Sequence, residues 1–395
     1  MDNELRQFDD IRPYEPEEMA QAFEELINDR QFSLMLKGFV PWLPKSIRNG
    51  LLRLEFKGVK TPLDFQKRFM KPIVKYIIWK HTDGCTFDDN TLTSKQDTRY
   101  TFLSNHRDIV LDSAFLDVML VKHRYPTTVE IGIGDNLLIY PWIKRLVRMN
   151  KAFTVKRGLT AHEMMRSSQL MSTYIHYAVT RKHENIWIAQ REGRAKDSSD
   201  HTQDSVLKML AMGGEGTAVE SLRELNIVPL TISYEFDPCD YLKAKEFQLK
   251  RDNPDYKKRD KDDLENMRTG IFGYKGRVHY HCGRAVNEWI DELAELPRNE
   301  FFTELSRRID EEIYRGYRLY PCNYIALDEV DGTNNYSSHY TEKDKQTFDA
   351  YLKAQIEKIN IPNRDDVFLR ERILTMYSYP VRHYLRTSSE VKSEK

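Results

Sequence analysis

The sequence predicts an α/β protein: a mostly parallel sheet flanked by helices, with helical N- and C-terminal regions around it. Two observations carry this. Between about residues 100 and 296, short runs rich in β-branched and aromatic residues alternate with longer helix-like segments, the pattern of a substantially parallel sheet. Before and after that stretch the patterning is helical. With 395 residues the chain can build one large domain or two to three ordinary ones around a sizeable core.

Taken in order, residues 1–95 read as a helical N-terminal region. Pro16-Glu17-Glu18-Met19 has the early proline and acids of a helix start. Residues 32–56 mix Phe, Leu, Val and Trp42 with Lys37, Lys45, Arg48 and Arg53. That composition suits either an amphipathic segment at a lipid headgroup boundary or a helix pair covering the main domain. Residues 96–296 form the α/β part, with strands expected in TRYTFLSN, PTTVEIGI, KAFTVKR, NIWIAQ, IVPLTISYE and GRVHYHCG. Helices are expected over 111–123, 136–149, 161–179 and 205–212. The charged stretch 250–264 (KRDNPDYKKRDKDDL) reads as a solvated insertion. Residues 297–395 read as a helical C-terminal region, clearest over 300–317 and 341–358, ending in a polar tail after Arg386.

Composition excludes several functions. Sixty-one basic residues balance 61 acidic ones, so nothing suggests a nucleic-acid partner held by net positive charge. Cys85, Cys239, Cys282 and Cys322 are scattered without a C-x-x-C pair, against a zinc ribbon or a disulfide scaffold and in keeping with a reducing cytoplasmic setting. The acidic, polar start Met1-Asp2-Asn3-Glu4 is unlike a signal peptide. No apolar run approaches the ~18 residues of a spanning helix, so membrane contact is expected to be peripheral.

The motif with chemistry in it is Ser104-Asn105-His106-Arg107-Asp108-Ile109-Val110-Leu111-Asp112. It follows an expected strand and opens into a helix, where open α/β sheets build active sites. An alcohol is a weak nucleophile at neutral pH. A histidine titrating near neutrality can take its proton, and a carboxylate on the other ring nitrogen sets the tautomer and stabilises the imidazolium. No Gly-x-Ser-x-Gly elbow accompanies it, which favours direct transfer in a ternary complex over an acyl-enzyme.

Three further segments follow in order: Gly134-Asp135-Asn136-Leu137 with Pro141 and then Ala152-Phe153-Thr154-Val155-Lys156-Arg157; Ile188-Ala189-Gln190-Arg191-Glu192-Gly193-Arg194-Ala195-Lys196; and Ile227-Val228-Pro229-Leu230-Thr231-Ile232-Ser233-Tyr234-Glu235. Together with the histidine motif they resemble the four ordered blocks of the glycerolipid acyltransferase superfamily, in its bacterial membrane glycerol-3-phosphate acyltransferase branch. Tyr241-Leu242-Lys243-Ala244-Lys245-Glu246 and Gly276-Arg277-Val278 also sit where that branch has similar residues. The resemblance spans about residues 100–285. Each block alone is weak; four in order at compatible spacing are specific.

The resemblance implies an acyltransferase domain at 96–296 that moves a fatty acyl group from a thioester, acyl-CoA or acyl-carrier protein, to the hydroxyl of glycerol 3-phosphate. No cofactor or metal is implied. Lysophosphatidic acid or an amino-acid lipid is the neighbouring acceptor class, and a catalytically dead relative that binds lipid or carrier protein is the alternative of another kind. A peripheral site on the cytoplasmic face of the membrane follows from the lipid product. His106 is the expected base. Five residues separate it from Asp112, where the family has four, so the orienting carboxylate is Asp112 or Asp108; the apolar run Ser113-Ala114-Phe115-Leu116 favours Asp112. Arg157 and Arg194 are the first choices for the acceptor phosphate, since arginine grips phosphate with paired charge-assisted bonds, with Lys156 and Lys196 supporting. Lys156 stands where the family usually has an arginine, keeping charge but losing the fork. Gly193 belongs to the same turn, and Glu192 is expected to orient a backbone turn or an arginine.

Two other clusters are weaker. His279 and His281 share a strand face beside Cys282, but no further ligand lies nearby in sequence. Gly213-Gly214-Glu215-Gly216 lacks the Lys-Ser/Thr of a P-loop and reads as a loop.

Overall fold

The structure, a computed structural model, describes residues 3–39 and 41–393. Its centre is a seven-stranded sheet: β1 (Cys85–Asp88), β2 (Thr101–Ser104), β3 (Val129–Gly134), β4 (Ala152–Val155), β5 (Asn185–Ala189), β6 (Ile227–Tyr234) and β7 (Val278–Cys282). The order across the sheet is β1-β7-β6-β2-β5-β3-β4. Every neighbouring pair is parallel except β6 and β7. The six expected strands all form. Cys85–Asp88 does not fit the expectation of helix to residue 95: it pairs with β7, from Cys85 opposite Val278 to Asp88 opposite His281.

Strand alternation divides the core. Phe102 and Trp187 face one side, where they pack with Phe115, Leu116 and Tyr280. Leu103, Ile186 and Ile188 face the other, against Tyr174, Ile175, Leu305 and Ile309. The helix Leu111–Lys122 therefore covers the first face, and the helices Ala161–Thr180 and Arg298–Arg315 cover the second. In the central strand β6 every residue is buried, as expected of a strand covered on both faces.

The N-terminal helices Met19–Asn28, Arg30–Phe39 and Lys45–Phe56 build a small core of their own. It is centred on Phe23 stacked on Phe56 at 3.8 Å and closes on Trp142, Leu146 and Met149. A five-residue π-helical turn, Gln66–Met70, leads into the helix Lys71–His81. Buried Gln66 donates to Asp117 Oδ2 and to Asn150 O. After β7 the chain is helical, ending in Pro321–Asp331, Glu342–Glu357 and Asp366–Ser393.

Three local expectations shift. The helix expected from 136 starts at Pro141, which suits the first helical position because it has no N–H to satisfy. The stretch 250–264 joins two helices, Asp240–Asp252 and Asp260–Phe272, rather than forming a free-standing insertion. The polar tail after Arg386 continues a helix as far as Ser393.

Candidate active site

β2 ends in buried Ser104, and the next side chain anchors the turn. The Asn105 amide donates to Ile232 O (3.0 Å) and accepts from Ile232 N (2.8 Å), so the residue before His106 is locked to β6. His106 Nδ1 lies 2.8 Å from Asp112 Oδ2. That same oxygen accepts the backbone N–H groups of Arg107 (2.7 Å) and Asp108 (3.0 Å). The turn thus folds around one carboxylate, which accommodates the extra residue between His106 and Asp112. Asp112 is fully buried in the first turn of Leu111–Lys122, where the helix dipole favours negative charge. Tyr280 Oη donates to its backbone oxygen at 2.8 Å.

The His106 side chain keeps 14% of its surface while Asp112 keeps none, so the ring is the part of the pair that meets solvent. Trp187 packs edge-on against it at 5.5 Å and is itself held by a bond from Nε1 to Ser104 Oγ at 3.0 Å. With the Nδ1 proton donated to Asp112, Nε2 is left as an acceptor.

Asp108 is engaged elsewhere. Its Oδ1 accepts from Val110 N and Leu111 N, both at 2.8 Å, satisfying donors at the start of the helix. Burial, reinforced by the charge of Asp112, pushes its pKa up. The helix Asp260–Phe272 lies directly over it, close enough that any side chain at Gly270 would collide with the carboxylate.

The expected phosphate-binding residues follow the carboxyl ends of β4 and β5, on the same rim of the sheet as His106. Arg157, after β4, forms an ion pair with Glu192, after β5, and its N–H donates to Asp135 Oδ1 after β3 at 3.1 Å. Gly193 has φ of +68° with open space around it, so the left-handed backbone, not crowding, calls for glycine. Arg194 donates to Asn266 Oδ1 at 2.9 Å, one turn before Gly270, and its other terminal nitrogen, Nη1, is buried without a hydrogen-bond partner. Lys196 turns away to pair with Glu246, and burial lowers its pKa. Lys156 is exposed. The structure therefore brings His106 to Asp112 and Arg157 to Glu192, while Lys196 is committed to a neighbouring helix.

Arg107 was not singled out by sequence, and it is the buried hub of the loop. Its guanidinium donates to Ser198 Oγ (2.7 Å), Asp200 Oδ2 (2.5 Å) and Tyr317 Oη (3.1 Å). Tyr317 Oη in turn donates to Asp200 Oδ2 at 2.9 Å. The histidine loop, the loop after β5 and the segment after Arg298–Arg315 are thereby tied at one point. His279 and His281 do share a face of β7, bonded to Thr86 Oγ1 (2.8 Å) and Asp88 Oδ2 (3.1 Å). Among the described residues no three His, Cys, Asp or Glu side chains converge as a metal site would require.

Residues 88–233 match the Acyltransferase family model. The matched stretch runs from the last residue of β1 into β6 and takes in the histidine turn and the loops after β3, β4 and β5. A comparison with curated proteins gives no match. Among solved structures, the chain is similar to the 1-acyl-sn-glycerophosphate (LPA) acyltransferase PlsC of Thermotoga maritima, at 10% identity and a TM-score of 0.37, over 74% of this chain and 97% of that one.

Proposed function

We propose that this chain moves a fatty acyl group from a thioester donor to the hydroxyl of glycerol 3-phosphate, with His106 as general base and Asp112 as its orienting carboxylate. The observation that carries the reading is the His106 Nδ1–Asp112 Oδ2 contact of 2.8 Å on the carboxyl rim of the sheet, with arginines on the neighbouring loops. His106 Nε2 takes the hydroxyl proton as the oxygen attacks the thioester carbonyl carbon, and Asp112 stabilises the imidazolium that forms. The tetrahedral intermediate collapses, the C–S bond breaks, and the thiolate leaves with the proton returned from Nε2. Donor and acceptor meet directly, with no acyl group on the protein.

Arg157 and Arg194 hold the acceptor phosphate. Glu192 orients Arg157 until the dianion takes its place, and the unpartnered Nη1 of Arg194 has a hydrogen bond to give. Asp108 keeps to the helix start. Glycerol 3-phosphate is favoured over lysophosphatidic acid or an amino-acid lipid by the residues Tyr241–Glu246 that resemble the glycerol-3-phosphate branch. No helix among the described residues is long and apolar enough to cross a membrane. The lipid product is released at a membrane that the protein meets peripherally, on its cytoplasmic face, through the N-terminal region of residues 1–95, residues 30–56 among them. Ile47, Leu51 and Leu54 of that segment form an exposed stripe beside exposed Trp42. An acceptor screen with acyl-CoA and acyl-carrier protein, products identified by mass spectrometry, tests the reading. Acylated glycerol 3-phosphate supports it. Acylated lysophosphatidic acid alone would move the acceptor, and no transfer to any acceptor would leave a binding protein.

A further inference from the structure

We propose that the outer face of the helix Lys71–His81 is a second membrane-contacting surface, one that seats an anionic bilayer at the same end of the sheet as His106. The proposal rests on the reading that the reaction is completed at a lipid surface, and it names a contact separate from residues 30–56.

The helix reads Lys-Pro-Ile-Val-Lys-Tyr-Ile-Ile-Trp-Lys-His. Val74 and Ile77 are buried and anchor its inner face. The opposite face shows Tyr76, 52% exposed, and Trp79, 76% exposed, with Ile73, 52% exposed, at its edge. Their spacing of three residues puts them on one side of the helix. The Tyr76 and Trp79 rings lie 5.9 Å apart, so the exposed side chains form one patch; Phe272 meets His81 (6.1 Å) on the inner side of the helix, with Val74 and Ile77, and is not part of it. Isolated exposed apolar residues are ordinary, but a contiguous patch of large ones marks an interaction surface.

Charge identifies the occupant. The helix carries Lys71, Lys75 and Lys80 and no acid, and Lys80 Nζ lies 5.6 Å over the Tyr76 ring. Trp and Tyr bodies flanked by lysines suit the headgroup layer of an anionic bilayer, where rings sit in the interface and ammonium groups reach the phosphates. A second copy of the chain would bring two like-charged lysine sets together, which disfavours it.

Topology sets the direction. β7 runs antiparallel to β6, and β1 runs parallel to β7. The chain therefore enters β1 at the carboxyl end of β2, where His106 lies. Lys275 N donates to His81 O (3.0 Å) and Asp83 N to Gly276 O (2.8 Å), fixing the last turn of the helix to that rim. Gly270, two residues before Phe272, backs onto Asp108. The aromatic face and the histidine loop thus belong to one end of the molecule.

The test uses full-length protein with vesicles of phosphatidylcholine alone or mixed with phosphatidylglycerol. Burying two such side chains makes a loss of about tenfold or more in vesicle partitioning the expected effect of Tyr76→Ser/Trp79→Ser. Lys75→Glu/Lys80→Glu should remove most of the preference for the anionic vesicles. Brominated lipids should quench wild-type tryptophan fluorescence more than that of Trp79→Phe. Acyl transfer to glycerol 3-phosphate from a soluble short-chain thioester, without vesicles, should be unchanged in all three variants. Wild-type partitioning by both double variants overturns the proposal, as does a wild-type dimer abolished by Tyr76→Ser/Trp79→Ser. Vesicle binding that depends on this face in a protein with no transferase activity would refute the proposed reaction and leave the surface standing.

Discussion

His106 can act as a base only while one ring nitrogen is without a proton, and its neighbours decide which. Asp112 touches Nδ1 at 2.8 Å, whereas Asp108 spends its Oδ1 on two backbone N–H groups at the start of the helix. Asp112→Asn should therefore lower kcat by about 100-fold or more, in the range of general-base assistance. Asp108→Ala should act mainly on stability, by about 0.5–2 kcal/mol as for a lost helix cap. Turnover and urea midpoints of the two variants separate the effects, and the reverse order of turnover would give the orienting role to Asp108. For the acceptor, Arg157→Ala and Arg194→Ala should each raise the acceptor KM more than the donor KM. Losing one charged hydrogen-bonding partner costs about 1.5–3 kcal/mol, roughly ten- to a hundredfold in acceptor kcat/KM. A change confined to the donor KM would place that arginine on the thioester carrier. The nearness of His106 to Asp112 is readable from sequence because a single turn at a strand-to-helix junction spans the two. The partners of Lys196 are not readable in that way, since Glu246 lies on a helix 50 residues further on.

Among the elements, the histidine loop is held from two sides: by Asn105 on β6 and by Arg107 on the loop after β5 and the segment after Arg298–Arg315. Arg107 acts on the reacting pair through its backbone N–H to Asp112, which makes it a positioning residue. Arg107→Lys keeps the charge and loses the fork. It should lower kcat by about tenfold with little change in acceptor KM, through a looser histidine turn. A purely structural role predicts lower thermal stability with kcat of the folded variant unchanged. Sequence could not show this hub, because Arg107 meets Asp200 and Tyr317 across 93 and 210 residues. The strands were legible because they are short and rich in β-branched and aromatic side chains. β1 was not: four residues, Cys-Thr-Phe-Asp, carry too little pattern, and its partner β7 lies almost 200 residues away. The helix Asp240–Asp252 was hidden for another reason. Its buried face includes Lys243, Glu246 and Gln248, accommodated by pairing, as Lys243 with Asp237 at 2.5 Å, so no apolar stripe announces it.

At the scale of the whole molecule, the last helices are joined to the elements before them by polar contacts as well as apolar ones. Buried Asp240 accepts from Tyr351 and Tyr377 at 2.7 and 2.9 Å, and His383 of the last helix stacks on Tyr314 at 4.1 Å. Burial pushes the His383 pKa down to about 3. Unfolded, the ring takes a proton as pH falls through about 6.5; folded, it stays neutral until far lower. The unfolded chain therefore binds the extra proton across that window, so His383 makes stability fall as pH drops from 7 towards 4. In His383→Phe this contribution should be absent, and the gap in urea-unfolding free energy between wild type and variant should move in the variant's favour on acidification. A gap constant with pH would mean that the ring is protonated in the folded protein. The account as a whole depends on direct transfer assisted by His106, and single-turnover thioester consumption by the purified protein tests it most directly. Wild type should release thiol rapidly only when glycerol 3-phosphate is present, with no acyl group retained on the protein. His106→Ala, folded by circular dichroism, should be slower by about 100- to 10,000-fold. Acceptor-independent thiol release with an acylated protein, or near-normal turnover by His106→Ala, would contradict it.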